Sequence, residues 1–244
     1  MLPEILTEAI ASGEVRRPDG TACPLHGNVS EAEAQRLYDV VRAIRPEVSI
    51  EIGLAYGISA LAIAQAVRDN GRGVHYVVDP FQDSEWQGVG VANLERAGLA
   101  ECVRVHTVFP EEIVPLLPRA GFAFIDGSHV FDLALHDFVL VDRRLEIGGV
   151  IALHDLWMSS LQKMARYILT NRHYRVYEDG ARRPVDQRYW KRRVLRLARR
   201  APYAERIVRP EILSRMPDFG IQGSLNFIQK TAHDDRDSFF HREF

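Results

Sequence analysis

EIGLAYGISA, residues 51–60, joins the apolar run VSI to a long helical pattern. Gly53 and Gly57 therefore stand where a strand is predicted to pass into a helix. Glycine at such a joint permits a tight turn and a close approach of the backbone to a ligand, and the amide groups that open a helix attract negative charge. The stretch predicts a site for a small anionic or zwitterionic ligand.

Short apolar runs and helical patterns alternate on both sides of this joint. Such alternation predicts an α/β fold with a doubly wound, mostly parallel sheet and helices on both faces. The predicted strands are 48–53, 74–79, 103–108, 122–126, 150–155, 174–179 and 224–230, and the predicted helices lie near 4–12, 30–44, 58–69, 87–98, 110–117, 130–144 and 159–170. Seven strands are expected, with a loop over 13–29 and a capping box of Ser30 and Glu33.

The composition is typical of a soluble globular protein, with 46% hydrophobic and 26% charged residues and a formal net charge of −2. Cys23 and Cys102 have no zinc-site or disulfide spacing, which favours a reducing cytoplasm. No stretch resembles a signal peptide or reaches the roughly 18 apolar residues of a membrane span. We therefore expect a cytoplasmic protein without a membrane span.

The spacing of the two glycines helps to indicate which kind of ligand the site binds. The pattern is GxxxG, whereas a nicotinamide or flavin dinucleotide site needs GxGxxG after the strand. Asp79 ends the next predicted strand, 26 residues after Gly53, where an acid is placed to bind ribose hydroxyls. Alternatively, the glycines only pack helix against strand, and Asp79 only forms a turn before Pro80. Together the features favour a nucleoside ligand.

Four motifs in order, E-x-G-x-x-x-G-x-S-A, VVDPF, FIDGSH and GGVIALHD, resemble those of the class I S-adenosylmethionine-dependent methyltransferases, which have a Rossmann-like fold. Within that class the chain looks most like the small-molecule O-methyltransferases of the catechol, caffeoyl-CoA and macrocin types. The resemblance covers roughly residues 30–180 and the last strand. It implies O-methylation of a hydroxyl on a small metabolite, and we expect an anionic or sugar-containing acceptor.

One domain is expected over residues 1–244. It would consist of N-terminal helices and a lid, a cofactor-binding core, a basic helical insertion before the last strand, and that strand with a tail. The corresponding ranges are 1–45, 46–180, 181–222 and 223–244. Dimers are common in the resembled group, so a homodimer is compatible with the prediction.

The resemblance also assigns cofactor contacts by position. It implies that Glu51 and Gly53 line the methionine end, that Gly57 opens the helix, and that Ser59 meets the methionine carboxylate. Asp79 would hold the ribose. The stretch from Phe109 to Glu111 would lie beside the adenine, although FPEE departs from the small polar or acidic residues that the family usually has there.

Two predicted strand ends carry the residues expected at the reacting centre. Asp126 and His129 follow the fourth core strand, and His154 and Asp155 follow the fifth. By resemblance, Asp126 and Asp155 match magnesium-binding positions, whereas His154 replaces a carboxylate. Magnesium prefers oxygen ligands, and imidazole suits zinc and similar ions. Two hypotheses stay open: a divalent metal (Mg, Mn or Zn) on Asp126, His154 and Asp155, or a metal-free site.

His129 is the leading candidate for the general base. It falls where the catechol-type enzymes have a catalytic lysine, and an ordinary histidine is the better base at neutral pH. Alternatively, it only stacks near the adenine. His154 and His26, in a loop that could act as a lid, are rival bases, and His75 is expected to be structural.

Residues 188–210 carry nine Lys/Arg and one acid. The segment is interpreted as solvated helices, or as a grip on an anionic substrate, an anionic membrane surface or RNA. We favour the substrate among the three functions, because no RNA-binding module or NPPY-like motif is present. The expected partner is a small-molecule acceptor, and not nucleic acid.

Other functions are compatible with the same residues. They include N-methylation or non-methyl chemistry with the same cofactor, a nicotinamide-dependent oxidoreductase, and a binding protein without chemistry. The absent middle glycine argues against the oxidoreductase. The polar residues at the strand ends argue against an inactive protein.

Overall fold

A computed structural model describes residues 1–180, 220–221, 223–240, 242 and 244. The basic segment 188–210 lies outside the described residues. The helices are α1 Glu4–Ser12, α2 Glu31–Ile44, α3 Ile58–Asp69, α4 Val89–Arg96, α5 Pro110–Ile113, α6 Phe131–Arg144 and α7 Ser159–Asn171. The strands are β1 Glu14–Arg16, β2 Ala22–Pro24, β3 Val48–Ile52, β4 Val74–Val78, β5 Val103–His106, β6 Ala120–Ile125, β7 Leu145–Leu153, β8 Tyr174–Val176 and β9 Asn226–Lys230.

The central sheet has seven strands in the order β5-β4-β3-β6-β7-β9-β8. The first five of these run parallel, and β9 is antiparallel to both of its neighbours. The predicted seven-stranded, mostly parallel sheet is therefore confirmed. Within the described ranges, every helix is too short or too polar to cross a membrane.

Each face of the sheet packs against its own layer of helices. Along β6, Phe122 and Phe124 belong to the core beneath α2 and α3, whereas Ala123 and Ile125 belong to the core beneath α6 and α7. Alternate side chains of a strand point to opposite faces, so a strand buried on both faces must be apolar throughout. This explains why the sequence predicted these strands as continuous apolar runs.

Several elements differ from the sequence prediction, and α5 and β8 end at Ile113 and Val176, before the predicted 117 and 179. The expected loop 13–29 contains the hairpin of β1 and β2, which turns at Gly20 with a φ of +89°. The sequence did not predict these strands, because three residues are too few to show an alternation of apolar and polar side chains, and the strands lie among glycines and prolines. β7 begins at Leu145 and not near residue 150. The sequence did not reveal its first part, because residues 146–148 are exposed and include Gly148 in place of an apolar run.

The strand order places a crevice beside β3. The chain moves from β3 outward through β4 to β5, and then returns to the other side of β3 to form β6. Where neighbouring strands lead in opposite directions, their connecting loops part at the carboxyl ends and leave room for a ligand. Gly53 follows β3 and Asp126 follows β6, so both lie at this crevice.

Candidate active site

Two adjoining cavities occupy the crevice, one of about 570 Å³ and one of about 200 Å³. Gly53, Ala55, Trp86, Asp126 and Gly127 line both. The cavities are therefore two halves of one elongated cleft, divided at the glycine joint and at the end of β6.

Gly53 is required by the backbone geometry of the cleft. Its φ is +94°, and a Cβ atom at this position would lie 2.4 Å from the carbonyl oxygen of Asp126. Only glycine combines this conformation with so close an approach. The loops after β3 and β6 meet here, as predicted for a residue at the tight turn.

Asp79 holds the loop that follows Gly53. Its Oδ2 accepts hydrogen bonds from the backbone N–H groups of Leu54 and Ala55 at 3.0 and 2.9 Å, and its Oδ1 accepts from Phe81 N–H at 2.9 Å. The residue also lines the larger cavity. Its contact with a ribose stays a prediction, and the structure adds a second role, since this carboxylate fixes the glycine turn.

The larger cavity has an aromatic entrance. Phe109 and Glu111 line it, and their predicted place beside the adenine stays a prediction. The sequence reasoning missed Phe81, whose ring packs edge-to-face on Phe109 with centroids 6.1 Å apart. Phe81 and Phe109 are 43% and 50% exposed, so together they offer an apolar surface to a ligand.

Asp137, on α6, is a second residue of the larger cavity that the sequence reasoning missed. The side chain is buried, and burial, followed by the nearby charge of Glu111, raises its pKa to about 7. It was overlooked because an acid within a helical pattern is usually a solvated residue. In the folded protein this carboxyl group titrates near neutral pH.

The smaller cavity is formed by the start of α3, by His129 and by the loop of residues 27–29. Ser59 and Gly53 line it together with Asp126. Gly57 is the N-cap of α3, as predicted, with a φ of +81°. Amide groups at the N-terminus of α3 therefore lie beside this cavity.

His26 supports the loop that borders the smaller cavity. Its Nε2 lies 2.9 Å from the Tyr56 hydroxyl, and its ring packs against those of Tyr56 and Trp86. The three rings brace the segment that leads to Gly27. This arrangement engages the imidazole away from the reacting centre, which weakens the prediction of His26 as a base.

Glu51 lies behind the wall of the smaller cavity. The residue is fully buried, and its two carboxylate oxygens are bonded to Ser59 and His75. Glu51 is therefore not exposed to the cleft, and its predicted contact with the cofactor stays a prediction.

The four predicted reacting residues do come together at the carboxyl ends of β6 and β7. His154 Nδ1 lies 3.2 Å from Asp126 Oδ1 and 3.6 Å from Asp155 Oδ1. His129 Nε2 lies 2.9 Å from Asp155 Oδ2 and 3.9 Å from Asp126 Oδ1. Each histidine therefore faces the same two carboxylates.

Glu33 joins this cluster from α2. Its Oε2 lies 3.6 Å from His154 Nε2 and also accepts hydrogen bonds from the Ser30 backbone and hydroxyl at 3.0 and 2.8 Å. The Nε2 atom of His154 is buried and has no hydrogen-bond partner among the described residues. The sequence predicted Glu33 only as part of the capping box, which it also forms. No local pattern reveals that the same carboxylate reaches the active site.

The cluster shifts the pKa values of its members. Burial lowers the pKa of His154, but Asp126 and Glu33 raise it more, to about 10. Burial raises the pKa of Glu33, but His154 and Ser30 lower it to about 2. Asp126 is buried, which raises its pKa, yet the two histidines bring it below the ordinary value.

His129 is the more exposed of the two histidines. The proximity of Asp126 and then the charge of Asp155 raise its pKa above the ordinary value, although burial opposes them. Its side chain is 41% exposed, whereas that of His154 is 6% exposed. A raised pKa means that His129 is protonated over a wider pH range than the sequence prediction of an ordinary histidine assumed.

Asp155 is held in an uncommon conformation. Its φ is +51°, in the left-handed region that side-chain-bearing residues seldom adopt. The indole N–H of Trp157 and the Ser224 hydroxyl donate to its Oδ1 at 2.7 and 3.2 Å. These bonds orient the carboxylate toward His129, and backbone strain of this kind concentrates at functional sites.

The same cluster offers a set of metal ligands. One ligand atom each from Asp126, His154 and Asp155 lies within 4.8 Å of the other two. His154 would use Nδ1, because that nitrogen faces both aspartates, and Nε2–H would point to Glu33. A carboxylate behind a metal-binding histidine is a common arrangement. The donor set therefore fits a divalent ion, and it is equally consistent with a protonated His154 paired with the carboxylates.

A family model described as a methyltransferase domain matches residues 50–156. The matched range runs from β3 to just beyond β7, so it contains the glycine joint and both strand ends of the cluster. Residues 50–156 therefore match a methyltransferase domain. The family that the four motifs predicted is thereby confirmed.

Solved structures share the fold of this chain. An S-adenosylhomocysteine-bound methyltransferase from Podospora anserina has a TM-score of 0.59 and 16% identity, over 72% of this chain and 83% of its own. An O-methyltransferase from Bacillus cereus, in complex with S-adenosylhomocysteine, has a TM-score of 0.56 and 17% identity, over 71% of this chain and 80% of its own. The O-methyltransferase TomG from Streptomyces achromogenes, in complex with S-adenosylmethionine, has a TM-score of 0.53 and 19% identity, over 67% of this chain and 75% of its own. At these identities the likeness establishes the fold alone.

Replacement of Gly53 by alanine is expected to disrupt the cleft. The added Cβ would collide with the Asp126 carbonyl, so the loops after β3 and β6 must part, and binding of S-adenosylhomocysteine should weaken by about 100-fold or more. Gly148→Ala is the matched control, since Gly148 has a similar φ of +86° and no atom within 4 Å of its added Cβ. Calorimetric titration of both variants measures the difference. Equal affinity for the two would contradict the assigned role of Gly53.

Asp137→Asn is expected to stabilise the protein at high pH. The carboxyl titrates near pH 4 when unfolded and at about 7 when folded, so the folded state binds the extra proton between these values. Wild-type stability should therefore fall, relative to the variant, as pH rises from 5 to 8, by on the order of 2–4 kcal/mol in total.

Urea denaturation at several pH values measures this difference. Asp132→Asn, an exposed position on the same helix, is the control and should differ from wild type by a constant amount. A difference for Asp137→Asn that does not change with pH would show that its carboxyl titrates normally.

Proposed function

We propose that the protein transfers a methyl group from S-adenosylmethionine to a hydroxyl oxygen of a small metabolite. The observation that carries the proposal is the position of the Asp126–His129–His154–Asp155 cluster at the junction of the two cavities. Asp126 lines both of them. A cofactor bound along the cleft would thus have its reactive centre beside the cluster.

The shape and chemistry of the cleft fit this cofactor. The larger cavity has the aromatic entrance of Phe81 and Phe109 and suits the adenosine portion, whose ribose would lie near Asp79. The smaller cavity offers the Ser59 hydroxyl and the amide groups that open α3, and it suits the zwitterionic methionine portion. The cofactor-bound fold relatives named above support the same assignment.

Bound S-adenosylmethionine supplies an electrophilic methyl group for in-line displacement. The protein must then align the acceptor hydroxyl and remove its proton. His129 is the proposed base, because it is half-exposed and therefore open to an acceptor. Its bond to Asp155 orients the ring and would stabilise the imidazolium that forms when it takes the proton.

His154 has a different proposed role. It is buried and its pKa of about 10 keeps it protonated at neutral pH, so it is unsuited to accept a proton. A fixed positive charge near the acceptor oxygen would stabilise negative charge that develops there. The sequence hypothesis of His154 as a rival base is therefore not favoured.

A second arrangement uses a divalent metal, and the three converging ligand atoms favour it. Asp126, Asp155 and His154 Nδ1 would hold the ion, and its chemistry would be to orient and acidify the acceptor hydroxyl. In the metal-free arrangement His154 is an imidazolium, whereas an ion on its Nδ1 requires that imidazole to be neutral. The two arrangements are therefore distinguished by titration with metal.

The acceptor proposed is an anionic or sugar-containing small molecule. Its support is the motif resemblance to small-molecule O-methyltransferases and the basic segment 188–210. N-methylation remains the alternative for the same cofactor, since the cleft constrains the donor more than the methylated atom.

Purified, chelator-treated protein is expected to bind S-adenosylhomocysteine with micromolar affinity. Asp79→Ala should weaken binding about 10- to 100-fold, because it removes the proposed ribose contact and loosens the glycine turn. Asp83→Ala, an exposed acid in the following loop, should leave it within about 3-fold. Isothermal titration measures both.

The same titration, repeated with Mg²⁺, Mn²⁺ and Zn²⁺, tests the metal. Binding heat that Asp155→Ala abolishes would establish the metal-dependent arrangement. Failure of the wild type to bind the cofactor product under any condition would contradict the proposed function, and a nicotinamide titration would then test the oxidoreductase.

His129→Gln is expected to lower the methyl-transfer rate by about 10²- to 10⁴-fold while leaving cofactor affinity within about 3-fold, because it removes the base and little else. Transfer of labelled methyl to an acceptor found by screening hydroxylated acids and nucleotide-linked sugars measures this. His233→Gln, an exposed histidine beyond β9, is the control. A variant with more than about a third of wild-type activity would refute the role of His129 as base.

A further inference from the structure

Asp137 is a buried carboxyl group to which none of the described residues donates a hydrogen bond. The residue is 7% exposed, and only burial and the charge of Glu111 act on its pKa. Buried polar groups in folded proteins nearly always have a hydrogen-bond partner, and one without a partner lowers stability. An apolar residue at this place in α6 would pack without that cost. The carboxyl group therefore calls for an explanation outside the packing of the helix.

The carboxyl group of Asp137 faces the larger cavity. Asp137 lines that cavity and is absent from the lining of the smaller one. A Cβ atom at Gly127 would lie 3.2 Å from Asp137 Oδ2. The missing side chain at position 127 thus leaves room for the carboxyl group beside the turn that follows β6. A ligand in the larger cavity can therefore reach a polar group that has no partner among the described residues.

The walls of the larger cavity are acidic. The other titratable side chains that line it are Asp79 after β4, Glu85 before α4, Glu111 in α5, Asp126 after β6 and His136 in α6. Of these, Glu111 acts on Asp137 through its charge. Four carboxyl groups would repel a phosphate or a carboxylate. The cavity therefore suits an uncharged group that has hydrogens to donate.

The form of the Asp137 carboxyl narrows the choice of ligand. Burial, followed by the charge of Glu111, raises its pKa and favours the neutral acid. A neutral carboxyl group offers an O–H donor beside a carbonyl acceptor, whereas an ionised one only accepts. Its best partner presents an acceptor and a donor side by side. Adenine does so, because its exocyclic amino group lies next to ring nitrogens that accept hydrogen bonds.

We propose that Asp137 determines the base specificity of the cofactor site by pairing with the amino group of the adenine and the ring nitrogen beside it. Asp137 lies in α6, outside the four motifs that carry the family resemblance. The proposal also fits the departure of FPEE, residues 109–112, from the residues usual beside the adenine, since a different element then contacts the base. The inference rests on the proposed use of S-adenosylmethionine.

Two ligands measure the base preference: S-adenosylhomocysteine and its purine analogue, which lacks only the exocyclic amino group. Wild type is expected to bind the first about 10-fold more tightly. Asp137→Ala should reduce this preference to less than about 3-fold, whereas Asp137→Asn, whose amide keeps a donor beside an acceptor, should retain it. Asp132→Ala, at an exposed position on the same helix, is the control and should also retain it. Isothermal titration gives all the affinities.

Stability separates a binding role from a structural one. Because the carboxyl group has no partner among the described residues, Asp137→Ala should raise the midpoint of urea denaturation at pH 8 while it weakens binding of S-adenosylhomocysteine. A side chain that only supports the helix would, when removed, lower that midpoint. A lower midpoint combined with equal weakening of both ligands would overturn the inference.

The pH dependence of binding tests the neutral acid. With a pKa of about 7, the neutral fraction of Asp137 falls about 10-fold from pH 6 to pH 8. Over this range wild type should lose up to about 10-fold in affinity for S-adenosylhomocysteine relative to Asp137→Asn, which cannot ionise. The ratio of the two proteins removes the contribution of other titrating groups. A ratio that does not change with pH would overturn pairing through the neutral acid.

The remaining outcomes are distinct. A wild type that binds neither ligand would contradict the proposed function itself. A wild type that binds both ligands equally, or a preference that persists in Asp137→Ala, would leave the proposed function intact and overturn the assignment of Asp137.

Discussion

The close approach of the loops after β3 and β6 is the constraint on which the site depends. A left-handed glycine at position 53 brings its own backbone against the carbonyl of Asp126. That contact divides the cleft in two and puts Asp126 at the division. Asp79 secures the arrangement by accepting the amide hydrogens of Leu54 and Ala55. One backbone contact therefore sets the positions of the two cavities and of the proposed reacting centre.

A balance of charge organises the reacting centre. Glu33, Asp126 and Asp155 surround two imidazoles, one buried and one half-exposed. Their different exposure suits two chemically identical groups to different proposed roles: His154 to that of a fixed cation, and His129 to that of a base open to an acceptor. Glu33 links this balance to α2, so the helix that precedes the core also completes the active site.

Much of this organisation could be predicted from sequence. The strand ends at Gly53, Asp79, Asp126 and Asp155 were found because apolar runs reveal buried parallel strands, and their carboxyl ends share one edge of the sheet. Residues that reach the site from within helices could not be found in the same way. Glu33 and Asp137 follow local patterns that also fit a capped or solvated helix, and only tertiary packing buries them.

The measurement that tests the account most directly is a crystal structure of the protein with S-adenosylhomocysteine. The account predicts that the ligand spans both cavities, with its adenosine beside Phe81 and Phe109, its sulfur near Asp126 and its methionine portion beside Ser59. A ligand bound outside the cleft, or one that enters only after the loops at Gly53 and Asp126 have separated, would contradict it.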